Sequence, residues 1–229
     1  GGERIVAYLF LPKNAKPPYQ TVVYFPHSGG EYLRSFEQSE MNYLDFIVKG
    51  GRALLFPMYK GTYERGSDAF RQDIPKASSL WRDYTICFYK DLARTLDYLE
   101  TRSEFERETF AYLGQSRGSA LAPLLLAIEP RIRTADLWLP GLYSGSMQPV
   151  VDVVHFLPRT MLPTLVLSGK YDYNFPDETS SRPFFERLGT PADRKRRVVY
   201  DTGHNLPQNE AVKETLDWLD RELGPVRSS

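Results

Sequence analysis

Cysteine is almost missing from this chain. Cys87 is the only one in 229 residues, which excludes an intrachain disulfide framework and leaves no Cys cluster for a structural zinc. That scarcity fits a reducing compartment, and a cytoplasmic location is the expectation. Histidine is nearly as rare: His27, His155 and His204 stand far apart with no Cys or second His at ligand spacing, so neither a metal nor any other cofactor is expected. Excess charge of one sign is lacking too. Twenty-nine Lys and Arg balance 29 Asp and Glu, which removes the basic footprint of a nucleic-acid binder and favours a small, roughly neutral ligand. No apolar run nears the ~20 residues needed to span a membrane, and the N-terminus lacks the basic, apolar and small-residue series of a signal peptide.

What remains is an ordinary globular composition, 41% hydrophobic and 25% charged, at a length suited to one domain over 1–229. Beginning at Gly1-Gly2 and running almost directly into a strand-like segment at 4–11, the sequence has the pattern of a domain cut from a longer polypeptide.

From residue 21 onward, short apolar runs alternate with amphipathic stretches, the pattern of an α/β fold with a mostly parallel sheet covered by helices on both faces. Strands are predicted at 21–26, 52–57, 109–113, 135–139, 164–167 and 197–200, most of them too continuously apolar for surface strands. Tyr43/Phe46/Ile47, Leu92/Leu96/Leu99 and Val212/Leu216/Leu219 recur at helical spacing. Two stretches break the alternation. Residues 58–80 carry Gly61, Gly66 and Pro75 without a period and read as a long functional or mobile loop, a candidate lid; 143–163 are irregular but too short for a large cap domain.

Gly114-Gln115-Ser116-Arg117-Gly118 follows the apolar Phe110-Ala111-Tyr112-Leu113 and opens a helix containing Ala120, Leu121, Leu124 and Leu125, with Pro123 inside it. Gly-x-Ser-x-Gly arises by chance in about one chain in ten of this length, so its weight comes from that strand-turn-helix setting. A tight turn lifts Ser116 to the C-terminal edge of the sheet and aims free helix N–H groups at a developing oxyanion. The competing reading is a plain Gly/Ser turn or a phosphate-binding loop. The latter needs a longer Gly-rich spacing ending in Lys-Ser/Thr, which is absent.

A serine nucleophile requires a base, and His204, in Asp201-Thr202-Gly203-His204 just past the last predicted strand, is the candidate. His27 is expected to shape the loop after its own strand and His155 to serve surface or packing. The acid that would fix the histidine tautomer is Asp172, in Gly169-Lys170-Tyr171-Asp172 after the penultimate strand. Asp177 and Glu178 follow Pro176 and look like the first turn of a helix, while Asp201 lies so near His204 that it is expected to serve the turn. The oxyanion would be held by the backbone N–H of Arg117 and by one from His27-Ser28-Gly29-Gly30, with Gly29 preferred over Ser28. Tyr59, Tyr63, Tyr143, Tyr171 and Tyr173, with Phe175, gather in segments leaving the same sheet edge and are candidate substrate contacts.

Over nearly its whole length, and in the order of His27-Ser28-Gly29-Gly30, Ser116, Asp172 and Gly203-His204, the sequence resembles the α/β-hydrolase superfamily, in its dienelactone-hydrolase-like and prolyl-oligopeptidase-like branch without a large cap. The resemblance implies a serine esterase with a Ser116-Asp172-His204 triad acting on a small-molecule ester. Tyr24-Phe25-Pro26-His27-Ser28-Gly29 and Tyr171-Asp172-Tyr173-Asn174-Phe175-Pro176 further resemble hydrolase domains fused behind bacterial serine/threonine protein kinases, which implies a kinase domain in the parent chain. The oxyanion loop departs from the family's His-Gly-Gly-Gly, and Arg117 is charged. A peptidase of the same branch and a non-catalytic binding or regulatory module of the same fold are the alternatives. The first would need a device to grip a peptide backbone, the second a broken triad.

Overall fold

A computed structural model describes residues 3–39, 41–71 and 77–226. Seven strands form one sheet: β1 (Ala7–Phe10), β2 (Tyr19–Phe25), β3 (Ala53–Pro57), β4 (Phe105–Gln115), β5 (Ile132–Trp138), β6 (Thr164–Gly169) and β7 (Lys195–Tyr200). They lie in the order β1-β3-β2-β4-β5-β6-β7, with β1 antiparallel to β3 and every other pairing parallel. The longer helices are α1 (Asp45–Lys49), α2 (Asp68–Arg71), α3 (Ser79–Glu100), α4 (Arg117–Leu126), α5 (Arg182–Arg187) and α6 (Gln208–Leu223).

The central strands are continuously apolar because consecutive side chains enter different cores. Val23 and Phe25 point to the face covered by α3, α4 and α5, where they meet Leu92, Leu96, Leu121, Leu125 and Phe184. Val22 and Tyr24 point to the other face and pack with Phe46 and Ile47 of α1 and Trp218 and Leu219 of α6. The expected two-sided α/β sheet is therefore observed.

Two elements are longer than their apolar signal. Strand β4 starts at Phe105, four residues before 109, since its Glu106-Arg107-Glu108 segment lies near the bottom of the sheet before an irregularity in the β2 pairing. Helix α3 begins at Ser79, inside the stretch read as loop, with Ser78 accepting the Trp81 N–H at 3.0 Å as an N-cap. The rest of that stretch is packed where described. Phe70 of α2 is buried against Tyr84, with ring centroids 4.1 Å apart, and Arg65 joins the Met58 carbonyl at 2.7 Å to Asp91 of α3 at 2.6 Å. Residues 72–76, which include Pro75, lie outside the described residues. Region 143–163 carries only short 3₁₀ turns, and no described helix is long and apolar enough to cross a membrane.

One buried polar group loads the α6 face. Asp136 on β5 accepts from Trp138 Nε1 (3.0 Å) and Thr215 Oγ1 (2.5 Å) through Oδ2, while Oδ1 is buried without a partner. Burial pushes its carboxyl up to about 7 against those two donors. Because the folded state holds this proton up to about 7 and the unfolded chain releases it near 4, stability falls as pH rises through that window. Calorimetry of Asp136→Asn should therefore show the variant gaining on the wild type between pH 5 and pH 8, by on the order of 3 kcal/mol. A difference in Tm that stays constant with pH refutes this.

Candidate active site

The C-terminal ends of β2, β4, β6 and β7 open on one edge of the sheet, and each delivers one part of the site. At the end of β4, Ser116 adopts φ 50°, ψ −105°, a backbone region that side chains rarely occupy. Its N–H donates to the Trp138 carbonyl at 2.8 Å on the adjoining strand. The turn closes only because its flanks are glycines. A Cβ on Gly118 would sit 2.3 Å from the Phe25 carbonyl oxygen, and one on Gly114 would sit 2.8 Å from the Gly118 carbonyl carbon. Helix α4 thus starts against the end of β2, and Pro123 lies within it without ending it before Leu126.

The structure brings the three predicted residues into one hydrogen-bonded run. His204 Nε2 is 2.8 Å from Ser116 Oγ, and His204 Nδ1 is 2.7 Å from Asp172 Oδ2. Asp172 is buried and fixed on its other oxygen, where Oδ1 accepts the N–H groups of Asn174 at 2.8 Å and Phe175 at 2.9 Å. Asp177 and Asp201 do not join the run. Asp177 pairs with Arg182 and Arg197 at the start of a π-helical turn, and Asp201 is 3.3 Å from Lys170 in the turn before His204. The acid and base loops abut, for a Cβ on Gly169 would meet the Gly203 carbonyl oxygen at 2.0 Å. Ser116 and His204 are each half-buried, so the pair stays open to solvent.

The loop after β2 requires one correction. Gly29, the preferred oxyanion donor from sequence, gives its N–H to His27 Nδ1 at 2.9 Å. His27 caps the 3₁₀ turn Ser28–Glu31, and that cap consumes the Gly29 N–H. Ser28, at the first position of the turn, has no acceptor within it by construction, and the same holds for Arg117 at the first position of α4. Ser28 follows the C-terminal end of β2 and Arg117 that of the neighbouring β4. Burial first, and then the nearby His204, hold His27 below the usual imidazole range, so it stays neutral with Nδ1 as acceptor and the proton on Nε2.

Two of the five candidate tyrosines are also corrected. Tyr59 is fully buried, stacked on Phe25 with centroids 3.9 Å apart, and Tyr63 is buried against Phe56 and beneath Gly30, where a Cβ would strike its ring at 2.9 Å. Both support the site from below, because the chain leaving β3 turns inward rather than over the sheet edge. Tyr143 packs between Trp81 and Phe175, and Phe175 lies 5.8 Å from the His204 ring. Tyr171 and Tyr173 are 63% and 79% exposed, with Tyr173 6.4 Å from His204, and they form a rim. His155 ends a short 3₁₀ turn away from these contacts.

Sequence reading missed the group around Arg117. Its guanidinium forms an ion pair with Glu31 and lies 5.3 Å from the Trp81 ring. Burial pushes the Glu31 carboxyl up to about 7 while Arg117 pulls it down. The available signal was Arg117 itself, a charge opening an otherwise apolar helix, which demands a nearby acid.

No family model matches the chain, and no curated protein matches it by sequence. Solved structures do. A cold-adapted esterase from an Arctic intertidal metagenomic library superposes with a TM-score of 0.73 at 21% identity, covering 96% of this chain and 89% of that one. A Klebsiella pneumoniae protein assigned as a dienelactone hydrolase gives 0.72 at 18% identity over 96% and 94%. Acetyl xylan esterase from Paenibacillus sp. R4 gives 0.68 at 21% identity over 95% and 79%. The fold is that of the α/β-hydrolases.

Proposed function

We propose that this chain is a serine carboxylic-ester hydrolase that works through an acyl-enzyme on small-molecule esters. The observation that carries the reading is the hydrogen-bonded Ser116–His204–Asp172 run. Fold similarity to two esterases supports ester bonds as the target.

Ser116 Oγ attacks the ester carbonyl carbon as His204 Nε2 takes its proton, and Asp172 steadies the resulting imidazolium through Nδ1–H. The carbonyl oxygen becomes an oxyanion that accepts from the N–H groups of Ser28 and Arg117. His204 returns the proton to the departing alkoxide. Water then attacks the acyl-enzyme with His204 again as base, releasing the acid and restoring Ser116. Substrate contact is assigned to Tyr143, Tyr171 and Tyr173, a role supported by Tyr173 lying 6.4 Å from the His204 ring.

The test is a fluorophosphonate and short p-nitrophenyl esters applied to the wild type and to Ser116→Ala. Labelling and turnover confined to the wild type uphold the reading.

The oxyanion assignment has its own check. Ser28→Pro deletes one N–H, yet proline is favoured at a first helical position and His27 (φ −68°, ψ 172°) already has the extended form that precedes proline. Its kcat should fall about 10²- to 10³-fold with KM little changed, whereas Ser28→Ala should retain near-full activity. Wild-type kcat in a folded Ser28→Pro would remove Ser28 from the site.

A further inference from the structure

The two N–H groups of the oxyanion hole belong to different pieces of chain, so their spacing depends on what fastens the 3₁₀ turn Ser28–Glu31 to the first turn of α4. Several contacts hold the turn. His27 caps it through the Gly29 N–H, the Tyr63 ring lies beneath Gly30, and Arg71 Nε donates to the Glu31 carbonyl oxygen. None of these three reaches α4. Beyond the packing of Gly118 against Phe25 at the root of the loop, a side-chain contact that joins the turn itself to α4 is the Glu31 carboxylate closed on the Arg117 guanidinium, between side chains only 3% and 11% exposed. Arg117 is the residue to which the second oxyanion N–H is assigned above, and its guanidinium also lies against the Trp81 ring. A buried ion pair contributes little net stability compared with an apolar pair of similar size, so its position rather than its energy distinguishes it.

We propose that Glu31 is a positioning residue, its carboxylate clamping the Ser28–Glu31 turn to Arg117 and thereby setting the separation of the two oxyanion donors. The inference rests on the ester-hydrolase reading above. It assigns no chemistry to Glu31, which acts through the two backbone N–H groups. Loosening the clamp should weaken the transition state and leave ground-state binding alone.

The experiment compares the wild type, Glu31→Gln and the double variant Glu31→Leu/Arg117→Met, which fills the space without leaving a lone buried charge. Each is assayed for kcat and KM on p-nitrophenyl acetate and on its thiono analogue, whose sulfur is a poorer hydrogen-bond acceptor and uses an oxyanion hole less. Fluorophosphonate labelling and Tm are measured alongside. A misplaced donor loses part of the 10²- to 10³-fold that a missing one would, so the double variant should lose about tenfold in kcat on the oxoester. Its KM should stay within about twofold, and its activity on the thionoester should barely change. Glu31→Gln, whose side-chain carbonyl still accepts from Arg117, should remain within about threefold of the wild type. The proposal falls if the double variant keeps wild-type kcat, if it loses activity equally on both esters, or if it fails to fold, since the last result makes the pair a stability element. A wild type that neither labels nor turns over ester defeats the hydrolase reading itself, and the two failures are thereby distinguished.

Discussion

Ser116→Ala is expected to lower kcat on p-nitrophenyl acetate by about 10⁶-fold and to abolish fluorophosphonate labelling, with Tm shifted by no more than a few degrees. Alanine keeps the Cβ, the backbone N–H to Trp138 and the close packing of Gly118 on Phe25, so the turn has no reason to rearrange. What disappears is Oγ and one half-buried hydrogen bond to His204 Nε2, about 1 kcal/mol of stability. Residual rate should come from the Ser28 and Arg117 N–H groups, which still stabilise an oxyanion formed by water attack. Labelling that persists in the variant would assign the nucleophile elsewhere.

The second large effect is expected from Asp172→Asn, with kcat reduced about 10⁴-fold and KM nearly unchanged. The direction follows from the partners of this side chain. Oδ1 accepts two backbone N–H groups, from Asn174 and Phe175, so an asparagine must turn its carbonyl oxygen to them. Its NH₂ then faces His204 Nδ1, where Asp172 Oδ2 stood at 2.7 Å. That imposes the tautomer with the proton on Nε2, which cannot accept from Ser116. The amide also lacks the charge that stabilises the imidazolium. Asparagine is thus damaging because the loop holds it firmly in the wrong orientation. A loss below tenfold would mean that Asp172 is not the partner that orients the base.

The parts of this molecule legible in the sequence are those where one segment carries the whole signal. Strands 52–57 and 164–167 were plain because both their faces are buried. Ser116, Asp172 and His204 could be proposed because each follows a strand end, and parallel strands bring such ends to one edge. Where the answer depended on partners distant along the chain, the sequence was silent. The inward turn of Tyr59 is decided by Phe25, and the pairing of Arg117 with Glu31, 86 residues away, by the adjacency of β2 and β4. Gly29 was a reasonable oxyanion donor by composition, and only the capping bond from its N–H to His27 shows that group to be spoken for. The start of α3 could have been found, because Ser78 is followed by Trp81, Tyr84, Phe88 and Leu92 at helical spacing.

The near-contact of Gly169 with the Gly203 carbonyl has a mechanical meaning. It rivets the Asp172 carboxylate and the His204 imidazole to a single rigid body built on β6 and β7, while Ser116 rides on β4, with β5 between them. Thermal breathing of the sheet edge will then stretch the joint between Ser116 and His204 before the one between His204 and Asp172. Under the proposed mechanism, a molecule paused between turnovers keeps its base oriented, and the step left to chance is the approach of the hydroxyl.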